Sequence, residues 1–156
     1  MSQVMIMNKE KGEILLGMKK RGFAAGRWDG YGGKQEVGET IEECAVRETR
    51  EECGVVMTSY EKVGRIVLKF TDKPLTLNMH VFRCDAFEGD VVETEEMRPQ
   101  WFSFDKVPYQ QMWPTDPLWY EHLIKGNNFE AYFVYDGHSN VVSHEVKLAD
   151  NNNVKE

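Results

Sequence analysis

The stretch GGKQEVGETIEECAVRETREECGV, Gly32 to Val55, constrains this chain more than any other part of it. Seven glutamates (Glu36, Glu39, Glu42, Glu43, Glu48, Glu51 and Glu52) crowd into it behind a glycine pair. The middle reads as a helix from Thr40 to Cys53, because Thr40 and Glu43 match a capping box and Gly54 is a natural stop. Helical periodicity puts Glu48, Glu51 and Glu52 on one face. Ile41, Ala45 and Val46 fall on the adjoining side, where packing against a sheet is expected. Like charges a turn apart repel, so this face costs stability unless something positive sits among the carboxylates. A solvated acidic face is the plain alternative. The other is a hard cation, Mg²⁺ with Mn²⁺ as its substitute, which takes oxygen ligands and binds through carboxylates and substrate phosphates together. Arg47 is placed to orient one glutamate through a bidentate pair. Gly30, Gly32 and Gly33 leave room for backbone to approach a phosphate, although glycines of this kind also mark a simple tight turn.

The remaining sequence supports a single domain over residues 1–148 followed by a polar tail, ADNNNVKE, expected to be disordered. VMIM and EILLGMK read as two strands joined by NKEKG, and RGFAAGRWDGYGGK as a loop with a short strand near Trp28. KVGRIVLKF and LNMHVFRCDAF flank the turn TDKP, and RPQWFSF is a further strand. PTDPLWYEHLIKG reads as a second helix with Thr115 or Asp116 as N-cap, and FEAYFVYD with NVVSHEV as a final hairpin. Strands mixed with two helices give an α/β or α+β sandwich. The net charge of −7 lacks the basic footprint of a nucleic-acid binder. Three cysteines without metal spacing fit free thiols in a reducing compartment. The apolar run at the N-terminus is too short for a signal peptide or a membrane span. A monomeric cytoplasmic protein is therefore expected, with nuclear or mitochondrial locations as alternatives, and with neither nucleic acid nor membrane as partner.

Gly33, Glu39 and the run RETREECGV fit the pattern G-x5-E-x7-R-E-U-x-E-E-x-G-U, where U is a bulky apolar residue, across 23 residues. On this motif the chain resembles the Nudix hydrolases. Thr49 departs from the aliphatic residue of the pattern, at an inward position where its shape approximates valine. LLGMKKRGF, GRW, MRPQWF and MWP are further similar to the animal MutT-type oxidised-purine nucleoside triphosphatases. The resemblance implies an α/β/α sandwich with a mixed sheet, and hydrolysis of a nucleoside triphosphate to the monophosphate and pyrophosphate. It implies metal ligands at the Gly32 carbonyl, Glu48, Glu51, Glu52 and Glu96, with Arg47 in support. The chemistry agrees: phosphoryl substitution needs charge neutralised on nonbridging oxygens and a water aligned with the leaving group. Glu51 or Glu52 is the expected general base.

The same resemblance implies a base pocket of Phe23, Phe70, Trp113 and Trp119, with Lys19, Asp29 and Asp116 as polar members and Gly33 and Lys34 on the phosphate side. For any single aromatic a core role is the plainer reading; the grouping with Asp116 favours a site. Leu68 and Leu77 stand where the subfamily has larger side chains. Asp29 replaces an asparagine, and Thr115 with Asp116 replaces a pair of aspartates. An ionised aspartate only accepts, whereas asparagine also donates, so the partners of the base edge are altered. Two alternatives stand beside the oxidised-purine reading. One is a Nudix hydrolase of broader or different nucleotide preference. The other is a noncatalytic nucleotide-binding module, which retention of Glu48, Glu51 and Glu52 disfavours.

Overall fold

The computed structural model describes residues 1–150 and 154. The tail expectation falls mainly on 151–153 and 155–156, which lie outside the described residues. Of the described tail, the Ala149 N–H reaches the Asn128 carbonyl and Val154 is buried. In chain order the elements are β1 (Ser2–Asn8), β2 (Glu13–Lys19), β3 (Trp28–Asp29), α1 (Ile41–Cys53), β4 (Val56–Phe70) and β5 (Thr76–Glu88). They continue with β6 (Met97–Ser103), α2 (Asp116–Ile124), β7 (Phe129–Asp136) and β8 (Asn140–Leu148). The strands form one sheet in the order β3-β2-β1-β5-β4-β7-β8, with β6 paired to β2. β1 and β5 are parallel, as are β4 and β7, and the other pairs are antiparallel.

Both faces of this mixed sheet are covered, which explains the continuous apolar run of β1. Val4 and Ile6 enter the core beneath α1, whereas Met5 and Met7 enter the core beneath α2 with Trp119, Leu123 and Phe129. The expected sandwich is therefore present. β4 begins at Val56, earlier than its sequence suggests. Register shifts between Met57 and Ser59, Ser59 and Tyr60, and Lys62 and Gly64 break the alternation that would have revealed it.

α1 carries its expected capping box: Glu43 N–H donates to Thr40 Oγ1 at 3.1 Å, and Thr40 N–H donates to the Glu43 carboxylate at 2.9 Å. Gly54 closes the helix at a φ of 82°, a left-handed conformation that glycine adopts without strain. The buried face is Cys44, Ala45, Thr49 and Cys53. Ile41 and Val46, expected inside, are only partly buried at its margin. Thr49 is fully buried, and its hydroxyl donates to the Ala45 carbonyl at 2.8 Å. The polar group in an aliphatic position is thus satisfied within its own helix. Thr115 occupies the N-cap of α2 without capping it; its hydroxyl instead shares a 2.8 Å hydrogen bond with the Tyr135 hydroxyl.

Residues 29–33 run along β1 and position the site. Ser2 N–H donates to the Gly33 carbonyl at 2.9 Å, and Tyr31 N–H donates to the Val4 carbonyl at 3.0 Å. The glycines exist for this close approach. A Cβ on Gly32 would overlap the Ser2 carbonyl, and one on Gly30 would lie 2.7 Å from the Val4 oxygen. Steric fit against β1 explains these two glycines without reference to a phosphate.

Candidate functional site

Arg47 organises the glutamates of α1. Its Nε and Nη2 donate to the two carboxylate oxygens of Glu39 at 2.6 and 3.0 Å. Nη1 reaches Glu48 at 2.9 Å and Glu51 at 3.2 Å. Nη2 also donates to the Lys34 carbonyl at 3.1 Å, while the Lys34 side chain is exposed. The bidentate partner is thus Glu39, outside the acidic face, and not one of the expected metal ligands. Arg47 holds the Glu39 carboxyl down at a pKa of about 2, and the Arg47 guanidinium is raised in return.

Glu52 sits apart from that network. Its carboxylate accepts from Gly32 N–H at 3.3 Å. Burial, with added repulsion from Glu48 and Asp29, pushes its pKa up to about 8. A Cβ on Gly33 would lie 2.5 Å from the Glu48 carboxyl, so the loop and this carboxylate are in direct contact. Gly32, Gly33, Glu48 and Glu52 are therefore gathered. Glu51 is 59% exposed and turned to Arg47. Glu96 is held by Arg21, whose Nη2 lies 2.6 Å from its carboxylate. Among the described residues no three acidic, histidine or cysteine side chains stand together as a ready cation cage. The donors are all oxygens and fit a hard divalent ion by type, but Glu48 and Glu51 share Arg47, and Glu96 would have to leave Arg21.

On the opposite face of the sheet lies an apolar cleft lined by Phe23, Leu68, Phe70, Leu77, Trp113 and Trp119, with Asp29 and Asp116 as its acidic members. Arg27 stacks on Trp113 with 4.1 Å from guanidinium carbon to ring centre, and Phe23 lies 5.6 Å from the same ring. Phe23 is 58% exposed, at the mouth. Trp119 is chiefly a core residue, stacked on Phe129, and its indole N–H donates to Asp116 at 3.1 Å. The other Asp116 oxygen accepts from Trp113 N–H at 3.0 Å. Burial and the neighbouring Asp29 charge raise the Asp116 pKa well above the usual range. Burial raises Asp29 to about 6, against the opposing pull of Gly30 N–H, Gln3, the Lys19 charge and the Trp113 indole. Lys19 does not line the cleft and acts on it through its charge. Two participants escaped the sequence reading. Glu39 was legible only as a motif position. Gln3, which lines the cleft and donates to Asp29 at 2.5 Å, had no signal at the polar start of β1, ahead of the apolar run Val4–Met7.

The comparisons with known proteins meet this geometry. A family model described as NUDIX domain matches residues 2–123. This chain belongs to the Nudix family. It is 44% identical over 142 residues to the oxidized purine nucleoside triphosphate hydrolase of Danio rerio, covering 91% of each chain. It is 42% identical over 137 residues to the protein of that description from Mus musculus, covering 88% of each. A more partial likeness is to the NAD-capped RNA hydrolase NudC of Pseudomonas aeruginosa, 34% identical over 69% of this chain and 38% of that one. The Nudix sheet and helices also superpose on the crystal structure of a MutT protein from Bacillus halodurans. There the TM-score is 0.82 at 23% identity, with 94% of this chain and 95% of that one covered, a likeness of fold.

Proposed function

We propose that this Nudix protein hydrolyses oxidised purine nucleoside triphosphates, of the 8-oxo-dGTP and 2-hydroxy-dATP type, to the monophosphate and pyrophosphate, clearing damaged precursors from the nucleotide pool. The observation that carries the reading is the link made by residues 29–33. One short ribbon places Asp29 in the aromatic cleft and Gly32 against Glu52, so a base and its phosphates are served by two ends of one segment. The named relatives from zebrafish and mouse, alike over almost the whole chain, support it.

A divalent cation, Mg²⁺ in this proposal with Mn²⁺ as substitute, neutralises phosphate charge and orients water when bound. The Gly32 carbonyl, Glu48, Glu51, Glu52 and Glu96 would hold it. Arg47 keeps Glu48 and Glu51 oriented along α1. Glu52 is our assignment for the general base because it is the one glutamate of the three whose carboxylate makes no bond to Arg47; a bound cation would favour its ionised form against the burial that raises its pKa to about 8. Trp113, Phe23 and Phe70 supply flat apolar walls for a purine, and Asp116, whose carboxyl burial and the Asp29 charge push toward the protonated form, would in that form donate to a base carbonyl while Asp29 accepts. Lys19 and Lys34 add positive charge beside the two carboxylate groups.

We further propose a single catalytic domain over residues 1–148 acting as a monomer in the cytoplasm, with no nucleic-acid or membrane partner. The net charge of −7 speaks against a nucleic-acid partner, and among the described residues no helix is long and apolar enough to cross a membrane. The partial likeness to an NAD-capped RNA hydrolase sustains one competing reading, cleavage of another nucleoside diphosphate derivative. Rates on 8-oxo-dGTP, 2-hydroxy-dATP, O6-methyl-dGTP, the ordinary dNTPs and NAD, with Mg²⁺ and product analysis, test the assignment. A preference for an oxidised purine triphosphate with pyrophosphate as product is expected. Equal rates on all triphosphates, or cleavage of NAD alone, would overturn it.

A further inference from the structure

Among the described residues Gln3 is the one amide side chain that lines the cleft, and it is 6% exposed. It lies on the face of β1 that Met5 and Met7 share, at the end of the strand nearest the loop. Its Nε2 donates to Asp29 Oδ1 at 2.5 Å, and Gly30 N–H donates to the same oxygen at 2.8 Å. Two donors from two different segments therefore converge on one carboxylate oxygen. Rotation of the carboxyl about its own bond would break both contacts at once. Gly30 makes this possible, since a Cβ there would come within 2.9 Å of Gln3 Nε2. A leucine or valine at position 3, which the apolar run Val4–Met7 would suggest, would remove the Gln3 donor and leave the Asp29 carboxyl to Gly30 N–H and the Trp113 indole.

From this juxtaposition we propose that Gln3 is a specificity-determining positioning residue: it locks the Asp29 carboxylate in the cleft and thereby sets how strongly the enzyme separates oxidised from ordinary purines. The proposal rests on the function proposed above. Its physical basis is the state of N7. An ordinary purine carries an acceptor there, whereas oxidation at C8 puts a hydrogen on N7 and makes it a donor. A carboxylate fixed against that edge attracts one and repels the other. A carboxylate free to rotate, or free to take up a proton and donate, relaxes the distinction. Gln3 opposes both changes, because its N–H bond is strongest to an ionised, correctly turned Asp29.

The test is a double-mutant cycle between Gln3→Leu and Asp29→Asn, read as the ratio of kcat/KM for 8-oxo-dGTP over dGTP, or for any two purine triphosphates the wild type turns over. Gln3→Leu should lower the ratio by about tenfold, the range for a hydrogen bond to a charged group. In the Asp29→Asn background the same change should lower it no further. An unmoved ratio in folded Gln3→Leu, or effects of the two changes that simply add, overturns the role of Gln3. A wild-type enzyme that does not act on oxidised purines overturns the substrate assignment instead, so the two failures are separable. If Gln3→Leu does not fold, the side-chain amide resonance of Gln3 in ¹⁵N-labelled wild type decides. It should shift when 8-oxo-dGMP binds and shift less with dGMP; a resonance indifferent to both nucleotides overturns the proposal.

Discussion

Arg47 lies on Glu39 through two parallel bonds, Nε to Oε1 at 2.6 Å and Nη2 to Oε2 at 3.0 Å, and the remaining nitrogen faces Glu48 and Glu51. The guanidinium is therefore aimed by a residue that precedes the helix. Glu39→Gln keeps the shape and one acceptor but removes the charge and one half of the fork. Turnover should fall by about 10–100-fold, the range for groups that orient metal ligands, with far-UV circular dichroism unchanged. Steady-state kinetics at saturating Mg²⁺ check it; wild-type turnover in Glu39→Gln would show that the clamp is only structural.

Glu52 is the half-buried carboxyl whose pKa desolvation moves up to about 8. Glu52→Gln mimics its protonated form and should leave the fold intact. Turnover should drop by roughly 10²-fold or more, as for an essential acid–base group. Retention of more than about a tenth of wild-type turnover would contradict both the ligand and the base assignments.

The raised pKa values of Glu52 and Asp29 make a linked prediction for the metal-free protein. Both carboxyls are raised on folding, so between the unfolded value and the folded value the native state binds more protons than the unfolded state. Stability then falls as pH rises, through about 6 for Asp29 and about 8 for Glu52. Thermal melts in EDTA should show a Tm that declines between pH 5 and pH 8 by roughly 2–4 °C per kcal/mol lost. Mg²⁺ should restore part of it at the high end and release protons at pH 7, as cation binding to a protonated ligand requires. A flat Tm profile without metal would refute the shifts.

Trp113 is partly buried, with Arg27 at 4.1 Å from its ring. Trp113→Ala should raise KM for the preferred triphosphate by an amount matching the loss of one stacked base, about 1–3 kcal/mol. Its stability loss should stay below the roughly 3–5 kcal/mol of a core tryptophan. Trp119→Ala, by contrast, should fall within that core range, because Trp119 packs on Phe129 and holds Asp116. Urea unfolding of both variants beside their KM values separates the two roles. A Trp113→Ala protein with unchanged KM and a core-sized stability loss would return Trp113 to the core.

Asp29→Asn replaces an acceptor by a group that also donates. It should narrow the preference for 8-oxo-dGTP over dGTP by about tenfold, given what an unpaired buried acceptor costs. In the wild type that preference should grow as pH rises through about 6, where Asp29 ionises, and in Asp29→Asn this growth should vanish. A kcat/KM ratio unchanged between pH 5 and 8 in both proteins would remove Asp29 from base reading.

Local sequence alone determined much of this protein. Thr40, Glu43 and Gly54 specify α1 by bonds that close within a few residues, so its limits were readable. The spacing of Glu48, Glu51 and Glu52 brings them close together along α1 for the same reason, but the structure turns Glu51 outward to Arg47 and Glu52 toward the Gly32 N–H. β-Bulges erased the early part of β4 from the pattern, because pairing with β5 and not alternation holds it there. What Asp29 touches was beyond local reading altogether. Its partners Gln3 and Asp116 are far from it along the chain, and only the seating of residues 29–33 along β1 brings them together. The tertiary structure likewise decided that Arg47 grips Glu39 while Glu52 turns to the Gly32 N–H, since the glycine loop is seated beside that end of the helix. The surroundings set by the whole fold then decide which way each carboxyl's pKa moves: the Arg47 bonds lower that of Glu39, while desolvation raises those of Glu52 and Asp116.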